Sequence, residues 1–310
     1  MMPARAAALV ALLCFTVLRA QAPAPAPAHA VDRAQLMRDV AALSAPAMEG
    51  RAAGSVGGVR ARRWIEEQFR VSGLTPAGAD GYLQPFTFGR SPTRAANVVG
   101  RVAGRDPSVP IVVVTAHYDH FGIRRSVLYP GADDNASGVA ALLAAARHFV
   151  ANAPRRTFVF AALDAEEPGL HGARALVRSN LLPRGRVALN INIDMASRSD
   201  RNEIYAAGTY HSPWQRPILA DVQMRSAVTI RFGHDRPAAR AGGRDDWTHL
   251  SDHAAFHAAR IPFLYFGVED HPDYHKPTDT VERIDPRFFG NVADMLVEAM
   301  STFDRLLGAR

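Results

Sequence analysis

Cysteine is almost absent from this 310-residue sequence: Cys14 is the only one. It lies in a leading segment with a basic start at Arg5, an apolar core from about Ala6 to Leu18 and a small residue at Ala20. That is the pattern of a cleaved secretory signal over residues 1–20, too short to span a bilayer. A lipoprotein signal needs a small residue just before the cysteine, and Leu13 is not small. The mature chain is therefore expected to lack cysteine, which excludes thiol catalysis, thiolate metal sites and disulfides. A basic cluster interleaved with aromatics is also missing, which excludes a nucleic-acid face. The formal charge of +6 falls to +4 once Arg5 and Arg19 are removed, and the remaining arginines are scattered. The expectation is an exported protein, periplasmic or extracellular, with no stable membrane insertion after signal cleavage.

What is present begins with QAPAPAPAHA, an Ala-Pro spacer over residues 21–30 that reads as an extended linker outside the fold. Neither an internal repeat nor a second composition regime follows, so residues 31–310 read as a single domain. Apolar residues at helical spacing predict helices over Val31–Leu43 and Val59–Ser72, the second stopped by Gly73. YLQPFTF and ANVVGRVAG read as an edge hairpin. After Pro110 strands and helices alternate: strands at Thr157–Leu163, RVALNINIDM, EIYAAG, AVTIRF and IPFLYFGV, helices at Ser137–Val150, His171–Asn180, SPWQRPILADVQM and Pro286–Leu307. Ala238–Asp252 is polar and reads as a loop. This alternation predicts an α/β fold, a mixed, mostly parallel central sheet with helices on both faces.

Within it, the stretch Pro110–Glu167 holds two apolar runs that each break off in polar residues: PIVVVTAHYD, then GADDNASG, then TFVFAALDAEE. Four predicted strands finish in acids or imidazoles: His117 and Asp119, Glu166 and Glu167, Asp194, then His271 and His275 after the last strand. In an open parallel sheet, ligands bind beyond those strand ends. Carboxylates gathered there would repel one another unless cations neutralise them. Histidine and carboxylate donors without sulfur suit zinc, with cobalt or manganese as substitutes. Taken singly, each acid has a plainer reading; Asp133 or Asp134 could cap the helix that follows.

The motifs AHYDH, PGADDNASG, DAEEPGLHG, NIDM and DYHKPTDT, in this order, resemble those of the co-catalytic di-zinc aminopeptidases. That group includes secreted bacterial leucyl aminopeptidases, and its zinc exopeptidase (phosphorylase/hydrolase-like) fold is shared with glutaminyl cyclases and the transferrin receptor. The resemblance runs from the EGR loop at Glu49 to the closing helix. It implies two zinc ions, one held by His117 and Asp194, the other by Glu167 and His275, with Asp133 bridging. Glu166 is left as general base; adjacent residues leaving a strand point in different directions, so one acid of the pair can bind metal while its neighbour faces water. The resemblance also makes Asp119 a carboxylate that orients His117, puts Asp134 behind the ligands after a cis Asp133–Asp134 peptide, and sets Asp252 and His253 near the substrate pocket. His120, His171 and His271 are read as bystanders, like His253 in any chemical step, and Asp245–Asp246 as surface. The implied activity is hydrolysis of N-terminal residues from peptides with a free N-terminus. Two alternatives remain open: a glutaminyl cyclase-like acyl transferase and a non-catalytic receptor-like binding protein.

Overall fold

A computed structural model describes residues 29–183, 185–237 and 245–308. In chain order the helices are α1 (Arg33–Ser44), α2 (Val56–Val71), α3 (Gly138–Ala151), α4 (His171–Arg178), α5 (Gln215–Gln223), α6 (His253–Ala258) and α7 (Pro286–Leu306). The strands are β1 (Thr75–Pro76), β2 (Leu83–Phe88), β3 (Thr93–Val102), β4 (Ile111–His117), β5 (Gly122–Arg124), β6 (Val127–Tyr129), β7 (Phe158–Leu163), β8 (Val187–Ile193), β9 (Glu203–Ala207), β10 (Thr229–Phe232) and β11 (Phe263–Gly267).

Every residue of β4 and β7 is buried. A strand reads as an unbroken apolar run when both faces of its sheet are covered, and here they are. The sheet order is β1-β3-β7-β4-β8-β11-β9-β10, with β2 also paired to β3. The four central strands β7, β4, β8 and β11 run parallel, while β3 and β9 join them antiparallel. The pleat divides the apolar side chains: Val112, Val114, Phe158 and Phe160 face a core built with α1, α2, α3, α5 and α7. Val113, Val159, Ala161 and Leu163 face a smaller core closed by Ala173 and Leu176 of α4 and by Ala255 and Phe256 of α6. The α/β class, the mostly parallel centre and the two helical layers agree with the sequence reading.

Three helix starts, those of α1, α2 and α7, follow capping chemistry. Asp32 accepts from Gln35 N, Ser55 from Gly58 N, and Asp285 from Arg287 N and Phe288 N with Pro286 in the first turn. The hairpin expected at the edge forms, but β3 reaches inward to pair with β7, so only β1 and β2 lie outside it. The β5–β6 hairpin and the short α6 were not foreseen; each is too brief for a periodic signal. Of the predicted loop at 238–252, residues 238–244 lie outside the described residues, and 245–252 carry neither helix nor strand. The signal peptide and linker residues 21–28 also lie outside them. The linker's last two residues are not free of the fold: His29 Nδ1 and Ala30 N lie 2.9 and 2.8 Å from the Asp294 carboxylate of α7.

Arg51 holds the region beneath the strand ends together. Fully buried, its guanidinium donates to the carbonyls of Leu43, Tyr118, Pro130 and Gly131 at 2.6–2.8 Å. Burial lowers its pKa to about 10, so it stays charged at neutral pH. Replacing it strands four buried acceptors, each costing about 1–3 kcal/mol when unpaired. Arg51→Met should therefore lower unfolding stability by at least about 3 kcal/mol, read from the urea transition.

Candidate active site

The parallel strands β4, β7, β8 and β11 end on one edge of the sheet, and their exits converge. His117 closes β4 with Nε2 3.2 Å from Asp194 Oδ1, just past β8, and 3.4 Å from Asp134 Oδ1. Its Nδ1 lies 3.1 Å from the Asp119 carbonyl, which can only accept. That fixes a hydrogen on Nδ1 and leaves Nε2 as the nitrogen directed at the carboxylates. Ser251 Oγ donates to Asp194 Oδ2 at 2.7 Å. A second group adjoins the first: His275 Nε2 is 3.2 Å from Asp134 Oδ2 and 4.0 Å from Glu167 Oε2, and His120 Nδ1 is 2.7 Å from Glu167 Oε1 and 3.7 Å from Asp134 Oδ2. Asp134 therefore gives one oxygen to each group. His117, Asp134 and Asp194, and likewise His120, Asp134 and Glu167, bring donor atoms within 4.8 Å of one another. Imidazole nitrogens and carboxylate oxygens gathered this closely and buried fit divalent ions of the zinc type.

The position between the two groups, expected for Asp133, is held by Asp134. The Asp133 carboxylate is fully buried and already satisfied: Oδ1 accepts from Ser197 N at 2.8 Å and Ser197 Oγ at 2.6 Å, and Oδ2 from His271 Nε2 at 3.0 Å. His271 Nδ1 accepts from Asp273 N at 3.2 Å, which leaves its hydrogen on Nε2 for Asp133. Asp279, unremarked within DYHKPTDT, accepts the amides of Asp133 and Asp134 at 3.0–3.1 Å and holds the turn. The cis peptide lies one residue later than expected, between Asp134 and Asn135.

Asp119 also departs from expectation. Its carboxylate is 3.9 Å from His117 Nδ1 and instead accepts from Glu166 N at 2.9 Å and Glu167 N at 3.3 Å. It positions the acid pair, while its backbone carbonyl orients the histidine. Ala165, Met195 and His275, each beside or within the converging exits, hold positive φ values of 57–59°. Left-handed backbone at non-glycine residues is costly and gathers where a site dictates side-chain direction.

Asp252 and His253 are fully buried, and neither lines the cleft over the carboxylates. His253 Nε2 donates to the Trp247 carbonyl at 2.9 Å; burial pulls its pKa down to about 3, so it is a neutral prop. The cleft wall is formed by Met195, Trp247, Leu250, Tyr265, Val268 and Tyr274, with Asp270 at the rim. Trp247 stacks flat on His234, ring centroids 3.7 Å apart. His171 stacks on Phe88 of β2, 5.1 Å between centroids. Neither carboxylate oxygen of Asp252 has a hydrogen-bond partner among the described residues, and burial pushes its pKa up to about 7. Glu166 lines the cleft, and burial, reinforced by Asp252, Asp194 and Asp119 and opposed by His117, holds its carboxyl well above the usual range.

Against known proteins, the profile of Peptidase family M28 matches residues 97–300. Aminopeptidase YwaD of Bacillus subtilis is 29% identical over 217 residues, which cover 66% of this chain and 44% of that protein. The chain spans under half the length of several curated relatives that it matches. LapB from Legionella pneumophila has a TM-score of 0.70 at 21% identity, covering 88% of this chain and 72% of LapB. Fimbriiglobus ruber glutaminyl cyclase also has a TM-score of 0.70, at 19% identity, covering 88% of this chain and 95% of the cyclase. The two structures share the fold.

A carboxyl whose pKa is raised on folding adds stability below its unfolded value, and that stability is lost as pH rises through the folded value. For Asp252 the window runs from the ordinary carboxyl pKa of about 4 to about 7. In chelator-treated protein, the stability advantage of Asp252→Asn over the unaltered chain should widen across that window and then level off. Calorimetry at a series of pH values checks it; a constant gap would contradict the buried, unpartnered carboxyl.

Proposed function

The chain belongs to peptidase family M28, and on that premise we propose that it is an exported zinc-dependent aminopeptidase that removes N-terminal residues from peptides with a two-ion site and Glu166 as general base. One observation carries the reading: Asp134 lies between two imidazole–carboxylate groups, one oxygen toward each. In this reading His117, Asp194 and Asp134 hold one zinc, and Asp134, Glu167 and His275 the other. Bound there, the ions would polarise the scissile carbonyl and acidify the attacking water.

The protein's own groups do the rest. Glu166 takes the proton of the attacking water on its carboxylate and hands it to the leaving amine. Asp119 fixes the backbone on which Glu166 and Glu167 stand, so base and ligand keep their separate directions. The aromatic and aliphatic wall around Trp247, Leu250, Tyr265 and Tyr274 favours an apolar N-terminal side chain. Export is supported by the signal-like start. No helix among the described residues is long and apolar enough to cross a membrane.

A glutaminyl cyclase on the same fold is the second reading, favoured by the likeness to the Fimbriiglobus ruber enzyme. Asp134, shared between two groups, supports two ions and so the peptidase. A receptor-like protein with a dead site would be expected to have lost donors that this chain keeps.

Glu166→Gln should lower turnover of an aminoacyl-anilide at least about 100-fold with zinc content unchanged. Unchanged turnover would sink the mechanism, and release of ammonia from an N-terminal glutaminyl peptide without cleavage would select the cyclase. Asp134→Asn should lose zinc that Asp133→Asn retains, as read by atomic emission after dialysis. The reverse result would return the bridge to Asp133. N-acetylated substrates should resist cleavage, and equal rates would contradict an exopeptidase.

A further inference from the structure

The donor set proposed above leaves His120 without a task, yet its surroundings are built to hold it still. The ring is 2% exposed and stacks on Phe121 at 4.6 Å between centroids. Gly131, with φ 57°, forms one side of its slot; a Cβ there would come within 2.6 Å of the imidazole. Arg51 ties the chain on either side of the slot by bonding the carbonyls of Tyr118, Pro130 and Gly131. A ring so confined can turn only one nitrogen toward the cluster. That nitrogen is Nδ1, 2.7 Å from Glu167 Oε1.

The opposite nitrogen decides what Nδ1 does. His120 Nε2 is buried and has no hydrogen-bond partner among the described residues. An imidazole that binds an ion through Nδ1 carries its hydrogen on Nε2, and such an N–H almost always finds an acceptor. Here it would be an orphaned buried donor, which folded proteins rarely tolerate. With the hydrogen on Nδ1, Nε2 keeps only an unused lone pair, and Nδ1–H donates to Glu167. Glu167 Oε2 is then the oxygen left facing His275.

We propose that His120 is a positioning residue for the second ion site, donating Nδ1–H to Glu167 Oε1 and so presenting Oε2 to the ion beside His275 and Asp134. This rests on the two-ion reading. The arrangement makes the two sites unequal: the carboxylate of the first is steadied by Ser251, that of the second by an imidazole.

Zinc titration of the metal-free protein against a chromophoric chelator tests it directly. The unaltered chain should bind two ions. His120→Leu, which fills the slot without a donor, should weaken one of them about 10–100-fold and leave the other unchanged; the unchanged ion also reports an intact fold. His120→Asn should restore the weakened site, because its amide can donate where Nδ1 does and is a poor zinc ligand. Equal losses in the Leu and Asn variants would make His120 a direct ligand and overturn the assignment, as would full affinity in the Leu variant. Should the unaltered chain bind one ion only, the two-ion reading falls and this assignment with it.

Discussion

Burying carboxylates imposes the constraint from which the site's architecture follows. Asp119, Asp133, Asp134, Asp194, Asp252 and Asp279 are all buried around the ends of the parallel strands. An ionised carboxylate out of water must be hydrogen-bonded, paired or protonated. Each solution appears. Asp119 and Asp279 take backbone amides, Asp133 takes hydroxyl, amide and imidazole donors, and Asp194 takes a serine hydroxyl. Asp252, without a hydrogen-bond partner among the described residues, shifts toward the protonated form. Only Asp134 keeps both oxygens directed solely at imidazoles, which is why it, among so many acids, suits a shared cation position.

The same constraint separates what was legible in the sequence from what was not. The strands after Pro110 could be read because runs buried on both faces, such as β4 and β7, are almost wholly apolar, and the acids and imidazoles beyond them mark the exit. The helices could be read from spacing and caps. The choice between Asp133 and Asp134 could not. It is made by Asp279, Ser197 and His271, which lie 64 to 146 residues away and carry no local signal in GADDNASG. The same holds for Asp119, whose carbonyl rather than carboxylate meets His117, since backbone and side chain of one residue cannot be told apart in a motif. Asp279 was the most accessible omission, an acid inside a motif already singled out.

His253 shows how motif neighbourhood and contact differ. It lies next to Asp252 and close in sequence to Trp247, yet it meets the cleft wall only from behind, through the Trp247 carbonyl and the Tyr265 ring. The fold alone is equally silent about chemistry, since superposable proteins carry different reactions. Which oxygen faces which nitrogen distinguishes one chemistry from another on this fold.

Arg51 lies between helices α1 and α2, far in sequence from every proposed ligand, and it clasps the exit of β4 to the loop before Asp133. Proteolytic nicking near residues 52–55 would cut the chain just beyond this clasp. Such a cleavage would leave every donor atom covalently in place while severing the residue that clasps the two walls from the chain that carries them. The protein's vulnerability to inactivation thus extends to a turn that holds none of its chemistry.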